Sequence, residues 1–139
     1  MSTPDAEMRD LLTTSRTIAV VGHSDKPHRD SHRIAQYLRE VGYRVYAVNP
    51  TLEAIDGERV YPDLQSLPEP IDIVDVFRRA IFLPEIVEAA VAIHARAVWG
   101  QLGVSHTQAE ARARAAGLIV VSNRCILVEH ERLGIITHG

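Results

Sequence analysis

A candidate phosphate-binding segment is the clearest chemical feature of this sequence. The segment 22–31 follows a short apolar run and leads into a stretch with helical periodicity. Its first residue, Gly22, lets the backbone turn tightly and approach a ligand closely. A helix that begins after the segment presents unpaired N–H groups and the positive end of its dipole. The segment also carries cations and hydroxyl groups that suit a phosphate, namely Ser24, Lys26, Arg29 and Ser31. The alternative interpretation is an ordinary capped loop with solvated charges.

The motifs of the common nucleotide sites are missing from this segment. NAD binding of the Rossmann type requires Gly-x-Gly-x-x-Gly at the turn and an acidic residue at the end of the second strand. Only Gly22 occupies the turn, and the second apolar run ends in Val48, Asn49 and Pro50. This pattern argues against NAD but leaves an adenine nucleotide with a differently placed pyrophosphate open. The sequence also lacks the P-loop motif that would support ATP hydrolysis.

Three histidines in and beside the segment raise the question of a metal site. His23, His28 and His32 do not have the spacing of a known zinc motif, and no second cysteine accompanies them. A histidine beside a phosphate is the simpler interpretation. A serine hydrolase is disfavoured as well, because the sequence after Gly22 lacks the second glycine of Gly-x-Ser-x-Gly. We therefore predict neither a metal site nor a catalytic serine.

Alternating apolar and helical stretches must position these residues. Five apolar runs are predicted to be strands: Thr17–Val21, Tyr43–Val48, Ile71–Phe77, Ala95–Trp99 and Leu118–Val121. Helical periodicity separates them, in a helix over Ser31–Val41, one that begins at Pro84, one capped by Thr107 with Glu110 in a capping box, and a last helix or turn from Cys125 to Leu133. Strands that are apolar throughout and alternate with helices indicate a parallel sheet covered on both faces.

The predicted fold is therefore an α/β, Rossmann-like, doubly wound five-stranded parallel sheet in a single domain. We assign residues 16–139 to this domain and residues 1–15 to an accessory N-terminal helix. In such sheets, ligands bind at the carboxyl ends of the strands. The segment 22–31 and the residues that follow the other strands should therefore lie together.

Composition narrows the class of protein further. The chain has 139 residues, of which 46% are hydrophobic and 24% charged, with a formal net charge of −3. A stretch of about 20 apolar residues, which a spanning helix needs, is not found, and the first residues do not resemble a secretory signal. The single cysteine, Cys125, fits a reducing compartment. We expect a cytoplasmic protein that binds neither a membrane nor nucleic acid.

The residues after successive strands resemble those of the small CoA-binding domain proteins, which are similar to the CoA-binding domain of the succinyl-CoA synthetase alpha subunit. The motifs occur in the family's order over about residues 16–133, at 20–24, 48–50, 75–79, 99–103, and 123–125 followed by 129–133. Each motif is weak alone, but five in order are specific.

The resemblance implies coenzyme A as the ligand and a set of residues that bind it. Gly22, Ser24, Lys26 and Arg29 are expected to bind its phosphates. From the residues of the loop itself, His23 and Ser31 are expected to join them. Asn49 and Pro50 would line the nucleotide part of the cleft, with the Asn49 amide free to donate. The implied remainder of the site follows the other strands and comprises Phe77, Arg78, Gln101, Gly103, Asn123 and Cys125.

Two positions depart from the family's pattern. The family often carries a small residue where this chain has His23, and a proline where it has Asp30. An Asp30 side chain that caps the following helix would compete with a phosphate for the same N–H groups. This departure affects the pose of the phosphate more than the class of ligand.

Cys125 has two interpretations. A buried free cysteine is commonly inert packing. Alternatively, its position after a strand and beside Arg124 favours the thiolate. Because coenzyme A ends in a thiol, a mixed disulfide with Cys125 is then a storage or redox-sensing state.

The expected function is non-catalytic binding of coenzyme A or an acyl-CoA, because the sequence offers no evident acid–base pair, metal cage or activated nucleophile. A CoA-dependent transferase or ligase component that needs a partner subunit is the first alternative. A nucleotide-dependent oxidoreductase is the second, and the missing glycine and acidic residue disfavour it. The sequence leaves open whether the chain forms a homo-oligomer or joins a partner enzyme.

Overall fold

A computed structural model describes residues 3–135 of the chain. The five helices are α1 (Asp5–Thr14), α2 (Asp30–Glu40), α3 (Leu83–Ala92), α4 (Thr107–Ala115) and α5 (Ile126–Arg132). The seven strands are β1 (Thr17–Val21), β2 (Arg44–Val48), β3 (Ala54–Ile55), β4 (Glu58–Tyr61), β5 (Ile73–Val76), β6 (Ala97–Gly100) and β7 (Ile119–Val121). Residues 1–2 and 136–139, the outer ends of the two predicted ranges, lie outside the described part.

The strands form one sheet in the order β3-β4-β2-β1-β5-β6-β7. All neighbouring strands are parallel except β3 and β4, which form an antiparallel hairpin. The prediction of five strands was therefore wrong in number, although all five predicted strands are present. The missed hairpin turns at Asp56 and Gly57, which both have positive φ angles of 50° and 82°, as a type I′ turn requires.

The chain reverses its direction across the sheet between β1 and β5. It runs from β1 outward through β2 to β4, and then returns to place β5 on the other side of β1. Parallel sheets bind ligands at such a switch point, beyond the carboxyl ends of the strands. The loops after β1 and β5 therefore form the floor of the candidate site.

Two hydrophobic clusters cover the faces of the sheet. Buried side chains of α3 and α4 pack with Val74 and Val76 on one face. Those of α1, α2 and α5 pack with Ile73 and Trp99 on the other face. This arrangement confirms the covered parallel sheet of the prediction, with one antiparallel hairpin at its edge. Among residues 3–135, no helix has the length and apolar character needed to cross a membrane.

The cap of α4 differs from the predicted one by one residue. His106 is the N-cap, and its Nδ1 accepts a hydrogen bond of 3.1 Å from the Ala109 N–H. Glu110 closes the turn from the other side, because its carboxylate accepts the His106 N–H at 2.7 Å. The predicted cap, Thr107, is the first helical residue instead. An imidazole nitrogen here takes the role that serine or threonine has in the usual capping box.

Candidate functional site

Two adjoining clefts lie at the carboxyl ends of the strands. The first, with a volume of about 600 Å³, is lined by the loop between β1 and α2. The second, with a volume of about 500 Å³, is lined by residues that follow β5, β6 and β7 and by α5. Asp30 and Phe77 line both clefts, so the two form one continuous surface across the switch point.

Gly22 makes the close approach of the first loop to the end of β5 possible. It has a φ of +90°, and its N–H donates to the Val48 carbonyl at 2.9 Å. A Cβ at this position would lie 3.1 Å from the Phe77 carbonyl oxygen and 3.1 Å from the Arg78 Cδ. The position therefore requires glycine for both its backbone angle and its space.

Two serine hydroxyls hold the loop in shape. The Ser24 N–H donates to Ser31 Oγ at 2.9 Å, and the Lys26 N–H donates to Ser24 Oγ at 3.0 Å. Each hydroxyl thus accepts a backbone hydrogen bond and keeps its own hydrogen for donation. Because both side chains also line the first cleft, they can donate to an anion bound there.

The N-terminus of α2 opens into the first cleft without a side-chain cap. Its N-cap residue is Arg29, whose side chain makes no capping hydrogen bond. Asp30 does not compete as a cap for this helix, because its carboxylate pairs with Arg33 instead. The His32 N–H donates to the Arg29 carbonyl at 3.1 Å, but amides at the very start of an uncapped helix can still bind an anion.

Four cations around the clefts have no carboxylate partner among the described residues. They are Lys26, Arg29, Arg78 and Arg79, and none of them takes part in an ion pair within residues 3–135. The two arginines after β5 lie over the ring of Phe82, with guanidinium carbons 4.1 Å and 5.8 Å from its centroid. This ring orients them without neutralising them. The carboxyl ends of the strands therefore carry a concentration of positive charge, although the chain has a net charge of −3.

The second cleft joins polar groups to an apolar wall. Gln101 is buried, and its Oε1 accepts the Ile126 N–H at 3.1 Å, which fixes the start of α5. Cys125, the N-cap residue of α5, is half-buried and lines the cleft. Apolar side chains of α2, α5 and the loop after β6 complete the wall, namely Ile34, Leu102, Val104, Leu127 and Val128.

Ten of the fourteen predicted site residues line the two clefts. The first cleft includes Gly22, Ser24, Lys26, Arg29, Ser31 and Phe77. The second includes Phe77 again, together with Arg78, Gln101, Gly103 and Cys125. The structure thus brings together residues that are separated by about a hundred positions in sequence.

The four remaining residues, His23, Asn49, Pro50 and Asn123, do not line either cleft. His23 is fully buried, its Nδ1–H donates to the Ser24 carbonyl at 2.9 Å, and burial lowers the pKa of its imidazole. The Asn49 amide, expected to be free, donates to the His23 carbonyl at 3.0 Å. Asn123 accepts the Gly103 N–H at 2.7 Å. His23, Asn49 and Asn123 thus shape the loops that carry the site.

Several residues of the second cleft were not predicted. Arg79 follows Arg78 directly, while Leu102, Leu127 and Val128 are apolar residues outside the strands. The repeated arginine was a usable signal. The apolar residues gave no such signal. A single leucine in a loop and an apolar pair in a short helix have the same sequence pattern whether they line a cleft or pack in the core.

The histidines of the first loop do not form a metal cage. Within residues 3–135, no group of three or more histidine, cysteine, aspartate or glutamate side chains could hold a metal ion. His32 is instead tied to the hairpin, because its Nε2 lies 2.6 Å from the Asp56 carboxylate. This bond links the start of α2 to the β3–β4 turn.

Comparison with known proteins adds independent information about the chain. The family of CoA binding domains matches residues 16–131. The uncharacterized protein YneT of Bacillus subtilis is 37% identical over 125 residues, which cover 90% of this chain and 93% of that protein. A solved structure of a hypothetical protein from Pyrococcus horikoshii superposes with a TM-score of 0.91 and 42% identity, over 94% of this chain and 92% of that one.

A larger enzyme matches part of the chain. The acetate–CoA ligase (ADP-forming) I of Archaeoglobus fulgidus is 33% identical over 79 residues. These residues are 57% of this chain but only 12% of the ligase.

Proposed function

Since this chain belongs to the CoA-binding domain family, as its five motifs predicted, we propose that it binds coenzyme A or an acyl-CoA in the two adjoining clefts. The phosphates lie in the first cleft, against the start of α2. The pantetheine arm crosses Phe77 into the second cleft and points towards Cys125.

The group of unpaired cations carries this proposal. Lys26 and Arg29 belong to the loop that lines the first cleft, and Arg78 and Arg79 line the second cleft beside it. Coenzyme A carries a diphosphate and a 3′-phosphate, so several cations are needed to compensate its charge. Arginine is suited to bidentate contacts with phosphate oxygens, and the uncapped start of α2 adds backbone donors.

The role we propose is binding without chemistry. The cleft residues that could act as a base or a nucleophile include His28, Cys125 and Asp30. Within residues 3–135, neither His28 nor Cys125 has a side-chain hydrogen bond to a second ionisable group, and the Asp30 carboxylate is paired with Arg33. General acid–base and nucleophilic catalysis rely on such a positioned partner.

The ligase match favours a second candidate function. A chain that aligns with a small part of an acetate–CoA ligase could supply the CoA site to a separate catalytic subunit. Copurification of a second protein that gives the pair a CoA-dependent ligase activity would support this function over simple binding.

Calorimetric titration with coenzyme A tests the proposed function. We expect Arg29→Ala and Arg78→Ala to lose roughly ten- to a hundredfold in affinity, because a hydrogen bond to a charged group contributes about 1.5–3 kcal/mol. Arg114→Ala is the matched control, since this exposed arginine of α4 lies outside both clefts.

A thermal-shift panel gives the second measurement. Coenzyme A should raise the melting temperature more than NAD or ATP, because a ligand that binds only the native state stabilises it.

In the calorimetric titration, an affinity for coenzyme A that is the same in wild type and both arginine variants would remove these side chains from the site. Absence of any binding by the wild-type protein would end the proposal.

A further inference from the structure

Exposed apolar side chains are concentrated at the second cleft. Among residues 3–135, three large apolar side chains are exposed: Ile81 at 74%, Leu102 at 69% and Val128 at 54%. Two of the three, Leu102 and Val128, line the second cleft. Isolated exposed apolar residues are ordinary on protein surfaces, but a pair on two different elements that border one cleft indicates a ligand surface.

The two side chains lie at the end of the site that is far from the phosphate loop. Leu102 follows β6 and Val128 belongs to α5, which follows β7. The phosphate loop follows β1, and β5 lies between β1 and β6. With neighbouring strands about 4.8 Å apart, the end of β6 is roughly 10 Å from the end of β1. The continuous surface therefore changes from cationic at β1 to apolar beyond β6.

This polarity matches one class of ligand. Resting on the proposed function, we propose that the second cleft receives the acyl chain of an acyl-CoA, held between Leu102 and Val128 and against Leu127. The preferred ligand is then an acyl thioester with several methylene groups rather than free coenzyme A.

Burial of apolar surface provides the physical reason for this preference. The thiol end of free coenzyme A offers only two methylene groups with which to cover Leu102 and Val128. An acyl chain removes both side chains and its own methylenes from water, and each buried methylene contributes a favourable transfer free energy. The cleft volume of about 500 Å³ lies within the range of small-molecule sites, roughly 300–1,000 Å³.

A chain-length series of ligands tests the inference. Titration calorimetry compares coenzyme A with acetyl-, butyryl- and hexanoyl-CoA. The affinity should rise about fourfold for each buried methylene, so that hexanoyl-CoA binds roughly tenfold or more tightly than acetyl-CoA if at least two of its added methylenes are buried.

Variants locate the effect in the cleft. In Leu102→Gln and Val128→Gln, the ratio of hexanoyl-CoA affinity to coenzyme A affinity should fall towards one. Ile81→Gln is the matched control, because Ile81 is equally apolar and exposed but does not line the cleft. Its ratio should stay at the wild-type value.

The outcomes separate this inference from the proposed function. Coenzyme A binding with no dependence on chain length overturns the acyl-chain inference and leaves the proposed function standing. An equal loss of the ratio in Ile81→Gln overturns it as well, since the effect would not belong to the cleft. Failure of every CoA derivative to bind rejects the proposed function and the inference with it.

Discussion

Asp75 is the residue whose environment departs furthest from that of an ordinary surface carboxylate. It lies in β5, is fully buried, and neither of its carboxylate oxygens has a hydrogen-bond partner among the described residues. Its neighbours in register on the two adjacent strands are Val20 and Trp99. Burial therefore raises the pKa of its carboxyl group well above the ordinary value, because an apolar environment disfavours the charged form.

This raised pKa gives the first prediction, which concerns stability against pH. Folding takes up a proton at Asp75 between its unfolded and folded pKa values, so the free energy of unfolding should fall as pH rises, by up to about 1.4 kcal/mol per pH unit. Asp75→Asn cannot titrate. It should therefore lose this dependence and be more stable than wild type at pH 8, while the two converge near pH 4.

Urea denaturation at several pH values measures this effect. Asp10→Asn is the control, because it removes an exposed carboxylate from α1 and leaves the buried one in place. If wild type and Asp75→Asn showed the same slope with pH, Asp75 would not be the group that takes up the proton.

At the scale of elements, the stability of the β3–β4 hairpin should depend on the conformation of its turn. Gly57 has a φ of +82°, and an added Cβ there would meet no other atom within 4 Å. The cost of Gly57→Ala is therefore conformational alone, and we expect roughly 1 kcal/mol of lost stability. Glu58→Ala, an exposed neighbour on β4, should change the free energy of unfolding by only a few tenths of a kcal/mol. An equal effect of both substitutions in urea denaturation would contradict this account of the turn.

The same hairpin shows where the sequence was informative and where it was not. Strands such as β1 were predictable because a strand covered on both faces is apolar throughout. The hairpin was missed because β3 has two residues and β4 is half polar, although the Asp56–Gly57 pair was a usable turn signal. The cationic residues of the site could be predicted because parallel strands bring their carboxyl ends, and the residues that follow them, to one side of the sheet. Leu102 and Val128 could not be assigned to the site from sequence, because only the structure shows that they are exposed.

At the scale of the whole molecule, the question is whether α1 is an accessory. The family match begins at residue 16, directly after this helix. Three of its side chains, Met8, Leu11 and Leu12, are nevertheless fully buried in the cluster that also contains Trp99 and Ile126. That cluster supports α5, which borders the second cleft. We therefore expect α1 to contribute to the core that holds the site.

The final prediction distinguishes a core helix from an accessory one. Leu11→Ala should lower the free energy of unfolding by about 2–5 kcal/mol, because it removes a buried side chain and leaves a cavity. Thr13→Ala, on the exposed side of α1, should stay within about 0.5 kcal/mol of wild type. Urea denaturation measures the free energy of unfolding of both variants, and we expect each to unfold in a single transition. If α1 were accessory, Leu11→Ala would affect only a separate, early phase of unfolding, and the main transition would keep its wild-type midpoint.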